Sequence, residues 1–292
     1  LPSDLSPAQV AVLLSQGNEP DTKAFTATIF DLARRGFIKI HDEMKIKSGL
    51  FNVKQDIKTT LQRSTEKQTT SQQPLLPFET DLLDYIFSTV GTVEGRQDKT
   101  DVSVTLDEMK AYFKAHPTKF QEWFGKWKKL IKEETKMLNF IEPESDKVYT
   151  KGVIYLIVVC IVGFFLINWL VIALFFGGLW LVSHLKRWDQ KWAREAQQWK
   201  SLHTFLNDFG SFKETPPEAY KLWEHYLVFG ILFGCAEKII KMLPIILASP
   251  QAAHAAWYYS SSAGSMSTNV SAMSQSIGSF SNSLNVLASE LQ

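Results

Sequence analysis

From Gly152 to Leu185 the chain runs for 34 residues without one Asp, Glu, Lys or Arg. A stretch of about 18 or more uncharged, mostly apolar residues is the signal of a membrane span. The run therefore points to an integral membrane protein. As a single helix it would measure about 51 Å, against a hydrocarbon core of about 30 Å. A strongly tilted helix and a hairpin bending near Asn168 and Trp169 are the two solutions. Lys147 and Lys151 stand before the run; Lys186, Arg187, Lys191 and Arg194 stand after it. Positive residues mark the cytoplasmic side, so two positive flanks favour a hairpin with both ends inside. Asn168 reads as a loop residue or a helix–helix hydrogen bond, because a conduction path needs ionisable partners.

Charge narrows the rest. The whole chain carries +1, and residues 1–151 hold 22 basic against 22 acidic side chains. Such a segment has no strong overall field for a phosphate backbone or for anionic lipid. Cys160 and Cys235, the two cysteines, lie in apolar surroundings and read as buried hydrophobes rather than a metal or disulfide pair. The opening Leu-Pro-Ser, with no signal-peptide pattern behind it, reads as the start of a processed piece with further chain upstream.

Before the run, two modules are expected. Ser6 is a candidate N-cap with Pro7 behind it for a helix to Gln16. A second helix, Asp21 to Arg35, stops at Gly36. Phe37 to Glu43 and Phe51 to Leu61 then alternate as a hairpin. Helices followed by a hairpin suggest a winged-helix-like module over residues 1–61. Residues 62–77 read as a linker. A second winged-helix-like module, residues 78–150, holds a helix from Phe78 to Val90. Thr105 and Glu108 form a capping box in it. A long helix, Thr118 to Phe140, carries Phe120, Trp123, Phe124, Trp127, Leu130 and Ile131 at helical spacing. Ile141 to Val148 could close as a short strand. The long helix also carries Lys119, Lys126, Lys128, Lys129, Lys132 and Lys136, read as a solvated face rather than a DNA-recognition surface because the segment is charge-balanced.

After the run, residues 186–247 read as juxtamembrane amphipathic helices. Trp188, Trp192, Lys186, Arg187 and Lys191 are candidates for the membrane interface, where Trp beside Lys or Arg is favoured; packing on the soluble body is the other reading of the tryptophans. Glu218 to Leu243 reads as one interfacial or buried helix ended or kinked by Pro244. Residues 248–292 are Ser-rich with one charge, Glu290, and read as a low-complexity, disordered tail. The fold class expected is thus a mainly α membrane protein: tandem winged-helix-like cytoplasmic α+β modules, a transmembrane helical hairpin over residues 151–185, juxtamembrane helices and the tail.

Three segments carry a family likeness. They are LSPAQVAVLL with TATIFDLARRGFIKI, then LLPFETDLLDYIF, then LWEHYLVFGILFGCAEKIIKML. The last holds Trp223, Glu224, Tyr226, Leu227, Gly234, Ala236, Glu237 and Lys238. The chain resembles the C-terminal region of the YciQ-like predicted membrane proteins, bacterial proteins of unknown function. The resemblance implies an inner or plasma membrane protein whose soluble modules are cytoplasmic. It supplies no catalytic residue, and the Ser-rich tail departs from the Gly-rich end common in that family.

No phosphate loop, HExxH, CxxC or GxSxG pattern occurs, and the six histidines are scattered. No catalytic, metal-binding or cofactor-binding residue is therefore assigned. The expected function is a non-enzymatic, membrane-anchored interaction or scaffold module whose partners are the bilayer and other proteins, not nucleic acid; its oligomeric state stays open. A membrane-tethered DNA-binding regulator and a transporter accessory subunit are the alternatives.

Overall fold

The computed structural model describes residues 1–48, 53–64, 73–91, 103–166, 170–183, 185–209, 219–247, 257–260, 278–280, 282, 283 and 286. The bend near Asn168 and Trp169, His184, residues 65–72 of the linker and most of the tail lie outside these residues.

Ten α-helices, one π-helical segment and four strands are described: α1 (Pro7–Leu14), α2 (Thr22–Arg34), β1 (Ile38–Ser48), β2 (Val53–Arg63), α3 (Pro77–Asp84) continued by the π-helical Tyr85–Val90, β3 (Ser103–Thr105), α4 (Leu106–Ala115), α5 (Pro117–Lys136), α6 (Pro143–Leu166), α7 (Leu170–Ser183), α8 (Gln190–Asp208), α9 (Ala219–Phe233), α10 (Ala236–Leu247) and β4 (Tyr258–Ser260). Both expected caps form. Ser6 Oγ accepts from Gln9 N at 3.3 Å while Gln9 Oε1 accepts from Ser6 N at 3.0 Å. Thr105 Oγ1 accepts from Glu108 N, and Glu108 Oε2 accepts from Thr105 N. Each reciprocal pair satisfies two backbone donors that the first helical turn leaves orphaned.

The expectation of tandem winged-helix-like modules is corrected. One sheet, ordered β3-β2-β1-β4, draws its strands from both expected modules and from the tail. β1 and β2 pair antiparallel from Ile38↔Arg63 to Ser48↔Val53. β3 then pairs with β2, and β4 joins β1 in parallel. One continuous apolar core runs from α1 to the tail. In it Trp127 on α5 meets Phe25 on α2 edge-on at 5.7 Å and Phe78 on α3 at 6.4 Å. Sequence periodicity locates each amphipathic face but not which face it meets, so a single core read as two.

The helices after the hairpin are corrected similarly. Along α8, Trp192, Ala196, Trp199 and Leu206 are buried. The helix expected over 218–243 is two, because Gly234 takes φ 76°, a left-handed conformation that suits glycine. Pro244 lies inside α10. Cys235 is buried among apolar neighbours, and that burial pushes its thiol up. Of the tail, Trp257 is 4% exposed and meets Phe30 and Trp223, while Phe280 is buried against Phe30 at 5.5 Å. These parts of the tail belong to the core.

The transmembrane hairpin is the third correction. Among the described residues no helix is long and apolar enough to cross a membrane. α6 and α7 do pack together: Gly178 lies against Leu156, where a Cβ would sit 2.5 Å from Leu156 Cδ2. The reason is length. The charge-free part of α6, residues 152–166, spans about 22 Å and α7 about 21 Å at 1.5 Å per residue, short of the roughly 30 Å of a hydrocarbon core. A clasp fixes the hairpin's feet. The expected strand at Ile141 shrinks to one antiparallel bridge with Trp188. Glu142 N donates to Arg187 O, Asp189 N donates to Phe140 O, and Arg187 N donates to Ser145 Oγ.

Candidate functional site

Three helices bring charged side chains into one buried cluster, and each helix comes from a different one of the three segments that carry the family likeness. On α2, Asp31 precedes Arg34 and the adjacent Arg35 by three and four residues, so one turn places all three together. Asp31 Oδ1 accepts from Arg34 Nη2 at 2.8 Å, and Asp31 Oδ2 lies 3.5 Å from Arg35 Nη1. Arg35 crosses to α3, where its Nη1 donates to Glu79 Oε1 at 2.7 Å. Its Nη2 donates to the carbonyls of Gln73 and Pro74. Glu79 is 0% exposed, and its second oxygen accepts from Leu76 N at 2.9 Å, capping α3. Burial pushes the Glu79 carboxyl up, and the Arg35 guanidinium pulls it back.

The third segment arrives on α9. Arg34 Nη1 donates to His225 Nε2 at 3.0 Å. A guanidinium can only donate, so Nε2 is the acceptor and His225 is neutral with its proton on Nδ1. Burial and the Arg34 charge hold this imidazole down at about 4. Nδ1 is buried with no hydrogen-bond partner among the described residues. Next to it, Glu224 Oε1 accepts from Trp257 Nε1 at 2.7 Å, which ties the tail to α9. Burial raises the Glu224 carboxyl, with Trp257 and Arg34 opposing. A cleft of about 490 Å³ opens beside Asp31, Arg34, Arg35, Glu224 and His225. Chemically the cluster is mostly paired: Arg34 and Arg35 are engaged by Asp31, Glu79, His225 and two backbone carbonyls, while Arg35 Nε and His225 Nδ1 have no hydrogen-bond partner among the described residues. The ion pairs suit a strut joining α2, α3 and α9.

The His225 linkage has a defined sign. A histidine with a depressed folded pKa contributes stability above its unfolded value near 6.5, and that stability is lost as pH falls toward about 4. The raised carboxyls of Glu79 and Glu224 act in the opposite sense, gaining protons first in the folded state. The clean readout is therefore a difference. Between pH 7 and 4 the stability of wild type relative to His225→Gln is expected to fall by about 1–2 kcal/mol, after discounting for partial exposure. Urea unfolding at matched pH values checks it; a pH-independent difference would contradict the assignment.

The sequence-singled residues divide. Trp223 and Tyr226 are buried in the core, and Glu224 belongs to the cluster. Gly234 breaks the helix. Glu237 is exposed at the start of α10, and Lys238 Nζ donates to Asn207 O at 2.6 Å. Trp192 is buried against Phe140, with Nε1 donating to Leu138 O. Trp188 is half-buried and donates to Leu13 O at 2.8 Å. Arg187 pairs with Glu142 at 3.2 Å. Lys191 lies 4.7 Å from the Trp192 ring and Lys186 4.4 Å from that of Tyr149. Sequence reading missed Asp31, Arg34, Arg35, Glu79 and His225 as a unit. The Asp31–Arg34–Arg35 spacing was visible; their partners on α3 and α9 are long-range. Among the described residues no group of three or more His, Cys, Asp or Glu is placed to hold a metal ion.

The fold and the hairpin define a class: a mostly helical body with one small sheet, from which an apolar helical pair projects. Residues 1–243 match the family model for the C-terminal domain of the DUF2207 predicted membrane proteins. The chain belongs to that family of predicted membrane proteins, in line with the resemblance seen in the three segments. No curated protein and no solved structure matches the chain. The match stops before Trp257 and Phe280, which nevertheless fill the core.

Proposed function

We propose that the chain is a non-enzymatic, membrane-seated interaction module. The hairpin lodges in the lipid of one leaflet, and the helical body stands beside it as a platform for other proteins. One observation carries this reading: the hairpin turns large apolar side chains outward. Tyr155 is 70% exposed, Phe176 and Trp180 are each 65% exposed, and Ile154, Ile157, Val158, Ile161 and Leu181 are exposed with them. A contiguous apolar face of this kind marks a lipid or partner surface. Lys147, Lys151, Lys186 and Arg187 at the hairpin's feet favour the cytoplasmic leaflet. The mutual ion pairing of Asp31, Arg34, Arg35 and Glu79 supports a structural rather than catalytic role for the cluster.

Flotation of the full chain with phosphatidylcholine vesicles tests the reading. The wild type is expected to rise with the vesicles. Ile157→Asp together with Phe176→Asp is expected to lower the bound fraction at least tenfold, since each side chain loses its apolar transfer energy and adds a charge. Wild-type protein left in the aqueous fraction would overturn the proposal.

A further inference from the structure

A second cavity, of about 600 Å³, lies at the foot of the hairpin. Lys132 and Lys136, one turn apart on α5, line it from one side. Lys186, just past the end of α7, lines it together with Tyr149 and Thr150 on α6. Asp146 is the one carboxylate in its lining. The surrounding cations are largely occupied: Lys147 pairs with Glu144, Arg187 with Glu142 and Lys128 with Glu19. Lys132, Lys136 and Lys186 have no carboxylate within ion-pair distance among the described residues. Lys186 is instead held over the Tyr149 ring. Three unpaired ammonium groups thus converge on a concave site, with one acid against them.

Position decides what such a site would take. Tyr149 and Thr150 sit immediately below Gly152, where the charge-free stretch begins. A lipid lying along the apolar arms would bring its headgroup to this depth. We propose that the cavity binds the phosphate of an anionic phospholipid headgroup. The site selects acidic lipid and fixes how deeply the hairpin sits. This inference rests on the membrane-seated reading.

The test uses the full chain and vesicles of phosphatidylcholine with or without about a third phosphatidylglycerol. Each lysine near an anionic surface contributes about fivefold in binding. Lys132→Gln, Lys136→Gln and Lys186→Gln together are expected to remove about a hundredfold of the gain that phosphatidylglycerol gives. The matched set Lys119→Gln, Lys126→Gln and Lys129→Gln, exposed elsewhere on α5, is expected to change that gain by less than about fivefold. Equal losses from both sets would mean general surface attraction and would overturn the site. Retention of the full gain by the first set would overturn it as well. Calorimetry with inorganic phosphate separates the sources: no saturable binding is expected at micromolar phosphate. Tight binding lost in the first set would reassign the cavity to a soluble anion. Flotation of all variants on phosphatidylcholine alone shows that the hairpin still seats; its failure in the wild type would sink the membrane reading itself.

Discussion

Glu79→Ala is expected to destabilise the chain by about 3–5 kcal/mol, the cost of leaving one partner of a buried ion pair uncompensated. Arg35 is 5% exposed, and its Nη1 meets Glu79 Oε1 at 2.7 Å. Without that carboxylate the guanidinium keeps two backbone carbonyls and the longer contact with Asp31. Leu76 N also loses its acceptor. The double variant Arg35→Met with Glu79→Leu removes both charges and is expected to recover most of the loss, because an apolar pair of similar volume avoids desolvation. Urea unfolding of the two variants separates a buried strut from a solvated pair. Loss below about 1 kcal/mol in Glu79→Ala would mean that water reaches the pair.

Trp127→Ala is expected to cost about 3–5 kcal/mol, the range for emptying a large core site. The ring is 0% exposed and packs between Phe25, Phe78 and Phe124. Its Nε1 donates to Phe78 O at 3.0 Å, so truncation also removes a buried hydrogen bond. The opposite face of α5 is solvated. Lys119→Ala, Lys126→Ala and Lys129→Ala are each expected to stay within about 0.5 kcal/mol. Comparable losses from the two faces, read by the same unfolding measurement, would contradict the orientation of α5.

What could be read from residues alone follows the range of the interaction. The caps at Ser6 and Thr105 and the α5 core stripe rest on neighbours a few residues apart, and they stand where the pattern placed them. The β1–β2 hairpin was placed but not its extent: β1 runs on to Ser48, five residues past the expected end at Glu43. The sheet did not follow, because β3 reaches β2, and β4 reaches β1, across long stretches of chain. The hairpin's helical pairing was legible, and so was the shortness of each arm of a hairpin. That no described helix is long and apolar enough to cross a membrane depends on where the charge-free run divides, which composition does not fix. Trp257 shows the same limit from the other side. It sits in a Ser-rich tail whose composition gives no sign of packing, yet its ring closes over Phe30 and its Nε1 reaches Glu224. The cluster of Asp31, Arg34, Arg35, Glu79 and His225 was half visible, as an i, i+3, i+4 charge pattern on α2. Its other half needed α3 and α9 in place.

Spin-label accessibility on vesicle-bound protein reaches the central claim most directly. With both native cysteines replaced by serine, one nitroxide is placed at Val158 on the outer face of α6 and another at Glu133 on the exposed face of α5. Collisions with oxygen, which concentrates in lipid, and with a water-soluble nickel complex are then compared. The label at 158 is expected to meet oxygen and be shielded from nickel, with the reverse at 133. Free collision of nickel with both labels would show the apolar arms lying in water and would contradict the account.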